Sequence, residues 1–279
     1  MSTSTAPHTM TASNTTPASA SATSAGFTPA PGHTPTVLIT GCSSGFGLDA
    51  ARLFLDRGWQ VIATMRTPQP DLLPRSERLR ILPLDVTRED SIEACLREAG
   101  PIDALVNNAG VGMLAPLEGT SLAAARELFQ TNTLGTIAMT QAVLPQFRER
   151  RAGVVVNVTS AVTLKPLPLL SVYTASKVAV NAFTESVALE LAPFDVRMRL
   201  VLPGRAPTTR FGANAQSRMG GSVPEAYASF VQSVFAGVPG TKALTTQSED
   251  VAEAVWRAVT DVDAPMRIPA GADAVAMAG

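Results

Sequence analysis

From Pro35 onward, short runs rich in β-branched residues alternate with stretches of helical periodicity, and this alternation constrains the fold more than any other feature of the chain. Parallel strands need a crossover of a dozen or more residues, usually a helix, so the pattern predicts βαβ units and a sheet covered on both faces. Strands are expected at Thr36 to Thr40, Gln60 to Thr64, Leu79 to Leu84, Ala104 to Asn107, Val154 to Thr159, Arg197 to Leu202 and Met266 to Pro269. Helices are expected at Leu48 to Arg57, Leu122 to Arg150 and Val172 to Leu191. Another opens on a capping box of Thr87 with Asp90, followed by Ile92, Cys95, Leu96 and Ala99 at helical spacing. The expected architecture is α/β, a doubly wound parallel seven-stranded sheet with helices on both faces. No internal repeat is visible, which removes solenoids and propellers.

The 279 residues suffice for one sizeable domain and a tail. Residues 1–33 hold no Lys, Arg, Asp or Glu, and after Met1 only Met10 and Phe27 are large and apolar. Such a segment cannot offset its ordering entropy and is read as a disordered tail, without the features of a signal or transit peptide. Residues 34–279 are read as a single catalytic domain. With 22 basic against 23 acidic residues and no basic run, nucleic acid and anionic membranes are poor partners. No apolar stretch reaches the roughly 18 to 20 residues that cross a bilayer. Cys42 and Cys95 are the only cysteines and lack CxxC spacing, which fits a reducing, cytoplasmic setting. His8 and His33, the only histidines, both fall in the N-terminal segment. A Ser-His-Asp hydrolase and an imidazole metal site are thereby excluded, and no metal is expected.

The first strand runs into Thr40-Gly41-Cys42-Ser43-Ser44-Gly45-Phe46-Gly47, after which a helix begins. Glycines at such a turn let the backbone approach a pyrophosphate, whose charge is stabilised by free N–H groups and the helix dipole. A purely structural turn is the alternative reading. At the end of the second strand, an acidic side chain would bond a ribose hydroxyl and repel a 2′-phosphate. Met65 and Arg66 stand there instead, so NADP(H) is favoured over NAD(H), with Ser43 as a further phosphate contact; the alternative is a solvated surface arginine.

Tyr173 and Lys177 stand four apart in a predicted helix and share one of its faces. A phenol is a poor base at neutral pH, and a neighbouring ammonium favours its phenolate. Ser160 ends an apolar strand thirteen residues before Tyr173 and can hydrogen-bond the same substrate oxygen. Asn132 falls where the Leu122 to Arg150 helix passes the site; its amide either holds a water linking Lys177 to solvent or satisfies buried backbone groups.

With these residues in place, the chain from about Pro35 onward resembles the short-chain dehydrogenase/reductase family, of the small single-domain Rossmann type. The resemblance rests on Thr40 to Gly47, Asp85-Val86, Asn107-Asn108-Ala109-Gly110, Asn132, Ser160, Tyr173 to Lys177, and Pro203-Gly204 with Thr208. Strings such as Ala63-Thr64-Met65-Arg66 and Asn108-Ala109-Gly110-Val111-Gly112 look nearest to hydroxysteroid and retinol dehydrogenase-like members. The resemblance implies that Asp85 and Val86 contact the adenine and that Asn107, Asn108, Ala109 and Gly110 shape the strand edge beside the cofactor. It also implies that Pro203, Gly204 and Thr208 hold the nicotinamide carboxamide, and that Lys177 binds the nicotinamide ribose. Phe46 between the glycines and Arg205-Ala206-Pro207 before Thr208 depart from the usual pattern.

The expected reaction is hydride transfer between NADP(H) and a carbonyl or secondary alcohol, with Tyr173 moving the proton, Ser160 orienting the oxygen, and Lys177 and Asn132 reloading the proton. Residues from Arg205 to about Thr245, with Phe211, Met219-Gly220-Gly221, Tyr227, Phe230, Val231 and Phe235, read as a helical lid that favours an apolar substrate or simply packs on the core. Surplus apolar side chains on the two long helices point to a homodimer or homotetramer. Two other readings are a catalytically silent dinucleotide-sensing protein of this fold, and a methyltransferase that shares the glycine turn.

Overall fold

The computed structural model describes residues 1, 32–209, 212, 215, 223–237 and 244–279. Residues 2–31 of the expected tail, and Phe211, Met219, Gly220 and Gly221 of the expected lid, lie outside that set. Among the described residues seven strands form one sheet: β1 (Thr36–Ile39), β2 (Gln60–Met65), β3 (Leu79–Pro83), β4 (Ala104–Asn107), β5 (Gly153–Val158), β6 (Val196–Pro203) and β7 (Arg267–Ala270). All pairings are parallel, in the order β3-β2-β1-β4-β5-β6-β7. The chain reverses its winding between β1 and β4, where Val37 pairs with both Val61 and Ala104. Such a reversal opens a crevice beyond the carboxyl ends of the strands, where ligands bind in open α/β sheets.

β1, β4 and β5 are buried along their whole length, as strands covered on both faces must be, and their sequences are accordingly near-continuous apolar runs, broken by Thr36, Asn107 and Asn157. Alternate residues feed two cores. Val37, Ile39, Val106 and Val156 pack under α1 (Gly45–Asp56) and the helix Ser248–Thr260 through Phe54, Leu55, Val255 and Val259. Leu38, Leu105 and Val155 face Ile92 of α2 (Glu89–Ala99) and Met139, Val143 and Phe147 of the helix opposite.

Three local expectations change. The predicted Leu122 to Arg150 helix is α3 (Leu122–Phe129), a five-residue π segment (Gln130–Leu134) and α4 (Gly135–Arg150). Thr87 does not cap α2: the N-cap is Arg88, and the Thr87 hydroxyl donates to Asp85 Oδ1 (2.7 Å) because that carboxylate also takes the Thr87 N–H (3.0 Å) in a tight turn. His33 is not loose in a tail; its ring meets Asp103 Oδ2 at 2.9 Å, and the same oxygen accepts the Thr36 N–H. This contact sits at the amino end of β4, away from the crevice. Leu134, Val178 and Leu189 remain exposed on the helices that cover one face. Among the described residues no helix is long and apolar enough to cross a membrane.

Candidate active site

The glycine turn is stapled to the end of β4. Thr40 Oγ1 accepts the N–H groups of Asn108 (3.0 Å) and Ala109 (2.9 Å), while Asn108 Nδ2 donates to the carbonyls of Thr40 (2.8 Å) and Gly41 (3.2 Å). This close approach demands glycine. A Cβ on Gly41, whose φ is +75°, would stand 2.8 Å from Ala109 Cα, and one on Gly47 would stand 2.6 Å from the Gly41 carbonyl oxygen. Cys42 is buried beneath the turn, its thiol pushed up to about 12 by desolvation, and is chemically silent. α1 opens at Gly45 with Ser44 as N-cap, but the Ser44 side chain makes no capping bond and the first turn carries no acidic group. The helix therefore presents amides and a positive dipole end with no side-chain acceptor of its own, which fits a pyrophosphate. Phe46 leans on the adjoining core, so its size is absorbed without disturbing the turn.

Across the crevice, Met65 is buried at the end of β2 and Arg66 is exposed. The bonds from Thr87 hold the Asp85 carboxyl below its ordinary range, with Arg66 adding a weaker electrostatic pull, so Arg66 and Asp85 border the same end of the site. Val86 is buried against Gly135, where a Cβ would stand 2.8 Å from Val86 Cγ2.

At the end of β5, Ser160 caps a 3-10 turn, its Oγ accepting the Val162 N–H (3.3 Å), and its hydroxyl is hydrogen-bonded to that of Tyr173. Tyr173 and Lys177 lie one turn apart on α5 (Ser171–Leu191), both about 5 % exposed. Lys177 Nζ donates to the Val158 carbonyl at 3.0 Å. A Cβ built on Gly110 would lie 3.4 Å from Lys177 Nζ and 3.3 Å from Asn132 Oδ1. The β4 end, Asn108 to Gly110, thus touches the glycine turn on one side and the catalytic candidates on the other. Just ahead of α5, Leu169 holds a φ of +64°, and its carbonyl accepts the Ala115 N–H (2.9 Å), a strained junction fixed across the rim of the site.

The electrostatics differ from the sequence expectation. Burial pushes the Tyr173 phenol up to about 12, partly countered by the Ser160 hydrogen bond, whereas the expected effect of Lys177 was to bring it down. Desolvation also brings the Lys177 ammonium down to about 8. In the free site the phenol is a proton donor at neutral pH.

The Asn132 side chain satisfies buried backbone groups of the neighbouring loop. Its amide accepts the Val111 N–H (2.8 Å) and donates to the Val111 carbonyl (2.9 Å) and to Ser176 Oγ (3.1 Å). Ser176 in turn donates to the Tyr173 carbonyl (2.7 Å), and Thr133 Oγ1 to the Ser176 carbonyl (3.1 Å). The π segment therefore grips the turn of α5 that carries Tyr173, in keeping with the enrichment of π insertions at functional sites.

Pro203 is buried at the end of β6 and Gly204 follows it, but Thr208 is exposed. Thr209 rather than Thr208 lies against the glycine turn, its methyl 3.5 Å from where a Cβ on Gly45 would stand. The Val158 carbonyl and Ser176 escaped the sequence reading, and so did the role of Thr40 as acceptor for the Asn108 and Ala109 N–H groups. Only Thr40, next to the glycine turn, carried a local signal.

A family profile described as short chain dehydrogenase matches residues 35–219. Retinol dehydrogenase 8 of Bos taurus is 42 % identical over 187 residues; the match covers 62 % of this chain and 59 % of the relative's length. A short-chain dehydrogenase structure from Streptomyces avermitilis superposes with a TM-score of 0.76 at 31 % identity, covering 88 % of this chain and 91 % of the other. A short chain dehydrogenase from Burkholderia cenocepacia, in complex with NADP, superposes with a TM-score of 0.69 at 27 % identity over the same shares, 88 % and 91 %.

Proposed function

Because the chain belongs to the short chain dehydrogenase family, we propose that it is an NADP(H)-dependent oxidoreductase interconverting a ketone or aldehyde and an alcohol, with Tyr173 as its proton-transfer residue. One observation carries the reading: a buried phenol hydrogen-bonded to Ser160, one helical turn from a buried ammonium, joined through Gly110 to a glycine turn with open helix amides. Bound NADPH would supply the hydride. Ser160 orients the carbonyl oxygen, Tyr173 gives that oxygen its proton, and Lys177 holds the positive charge that stabilises the phenolate left behind. Lys177 Nζ has two further protons for the nicotinamide ribose. Asn132 acts by position, fixing Val111 and the Tyr173 turn. Val111, Met113, Leu128, Val162, Leu170 and Val172 gather around Tyr173, and this wall favours an apolar substrate. Exposed Leu134, Val178 and Leu189 favour a homo-oligomer, which a solution mass measurement decides.

The absence of a carboxylate at the end of β2, Arg66 beside it, and the NADP-bound Burkholderia structure all support NADP(H) over NAD(H). Substituting Arg66→Gln is expected to raise KM for NADPH about tenfold and leave KM for NADH unchanged, the size of one lost charge-assisted phosphate contact. Equal effects on both coenzymes would remove Arg66 from the 2′-phosphate site. For Gly47→Ala, the new methyl meets Asn108 Nδ2 at 2.4 Å and the Gly41 carbonyl at 2.6 Å. We expect a loss of about 1–3 kcal/mol in stability and roughly tenfold weaker NADPH binding, read by thermal melting and fluorescence titration. The decisive experiment for the function is NADPH and NADH oxidation measured across a panel of apolar ketones and aldehydes. Silence with every carbonyl, despite NADPH binding, would overturn the enzyme reading.

A further inference from the structure

At the carboxyl end of the sheet, a second polar centre stands outside the Ser160, Tyr173 and Lys177 group. Asp273 lies in the first turn of the last helix (Ala272–Ala278), yet it makes no capping bond to that helix and is only 8 % exposed. Its Oδ2 accepts the Arg205 N–H at 2.6 Å, and its Oδ1 accepts Thr246 Oγ1 at 2.6 Å. Thr246 Oγ1 accepts the Gly204 N–H (3.0 Å), and the Thr246 N–H donates to the Arg205 carbonyl (2.9 Å). The packing is close enough that a Cβ on Gly204 would stand 2.2 Å from Asp273 Oδ1, and one on Gly271 would stand 2.0 Å from Thr246 Oγ1. One carboxylate therefore fixes the point where the chain leaves the sheet, Gly204-Arg205, and the point where it returns, Thr246. The same helix packs against Ala161–Thr163, immediately after Ser160.

We propose that Asp273 is a positioning residue that sets the Gly204–Thr209 segment for the nicotinamide half of the coenzyme. A buried carboxylate is tolerated when hydrogen bonds satisfy both its oxygens, and the donors here are the Arg205 backbone and the Thr246 hydroxyl, which ties the carboxylate to a segment whose Thr209 lies beside Gly45 of the glycine turn. The assignment rests on the functional reading above, and its test is a binding measurement that needs no substrate.

Asp273→Asn replaces one acceptor oxygen by an NH2 group and leaves the size unchanged. Fluorescence titration with NADPH and with 2′-phospho-ADP-ribose, which lacks the nicotinamide, separates the two halves of the coenzyme. The variant is expected to bind NADPH about tenfold more weakly and 2′-phospho-ADP-ribose as the parent does. Equal weakening of both ligands would mark a merely structural carboxylate, and unchanged binding of both would leave Asp273 with no role; either overturns the proposal. If Asp273→Asn does not fold, Thr246→Val, which keeps shape and removes the hydroxyl from the same network, faces the same criteria. A parent protein that binds neither ligand would sink the functional reading first, and this assignment with it.

Discussion

Tyr173→Phe is expected to lower carbonyl reduction by roughly 100-fold to 10,000-fold, the range of a lost general acid, while NADPH affinity stays within about twofold. The substitution keeps the ring and removes only the hydroxyl. Because Tyr173 is packed among Met113, Leu128, Val162 and Leu170, the ring holds its place. The lost Ser160 hydrogen bond costs about 1 kcal/mol of stability, too little to unfold the protein. Single-turnover reduction with NADPH in excess reads the chemical step directly. Retention of full turnover by the Phe variant would remove Tyr173 from the reaction. The raised phenol sets the direction of the pH dependence. With Tyr173 up at about 12, the proton to be delivered is present throughout the neutral range, so the donor itself does not limit reduction there.

Lys177→Met should separate activity from stability. Turnover is expected to fall on the order of 100-fold, since the charge that stabilises the phenolate is gone. Stability should move the other way. Burial lowers the Lys177 ammonium from 10.5 to about 8, so below about pH 8 the native protein carries a desolvated charge that the unfolded chain keeps in water. Methionine removes that penalty and forfeits the bond to the Val158 carbonyl, for a net gain of about 1–2 kcal/mol near pH 7. The sign fixes the pH window. Between about pH 8 and 10.5 the unfolded chain binds the extra proton, so the parent protein gains stability as pH rises and the gap to the variant closes. Denaturant melts of both proteins at pH 7 and pH 10 test this. A variant less stable than its parent at pH 7 would mean that the ammonium is compensated by partners other than Val158.

The order of strands and helices was legible because its signals are local. β1 and β5 announce themselves as near-continuous apolar runs, and the glycines of the first turn stand where Ala109 and the Gly41 carbonyl crowd the chain. Tyr173 and Lys177 were legible because a four-residue spacing on any helix places two side chains on one face. The π segment was not legible, since nothing in Gln-Thr-Asn-Thr-Leu distinguishes it from a regular turn until Asn132 finds both backbone groups of Val111, 21 residues away. The Thr87 cap failed for a related reason, as the hydroxyl had a nearer acceptor in Asp85.

Asp273 shows the limit most plainly, because an acidic residue near the end of a chain reads as solvated, and only the return of the chain at Thr246 beside Arg205 buries it. The ionisation of the site divides in the same way. Residue identity determined which groups can carry a proton and how far apart they stand along a helix. Which of them holds it at neutral pH was decided by the tertiary structure, since desolvation is a property of everything packed around a group and has no representation in local sequence.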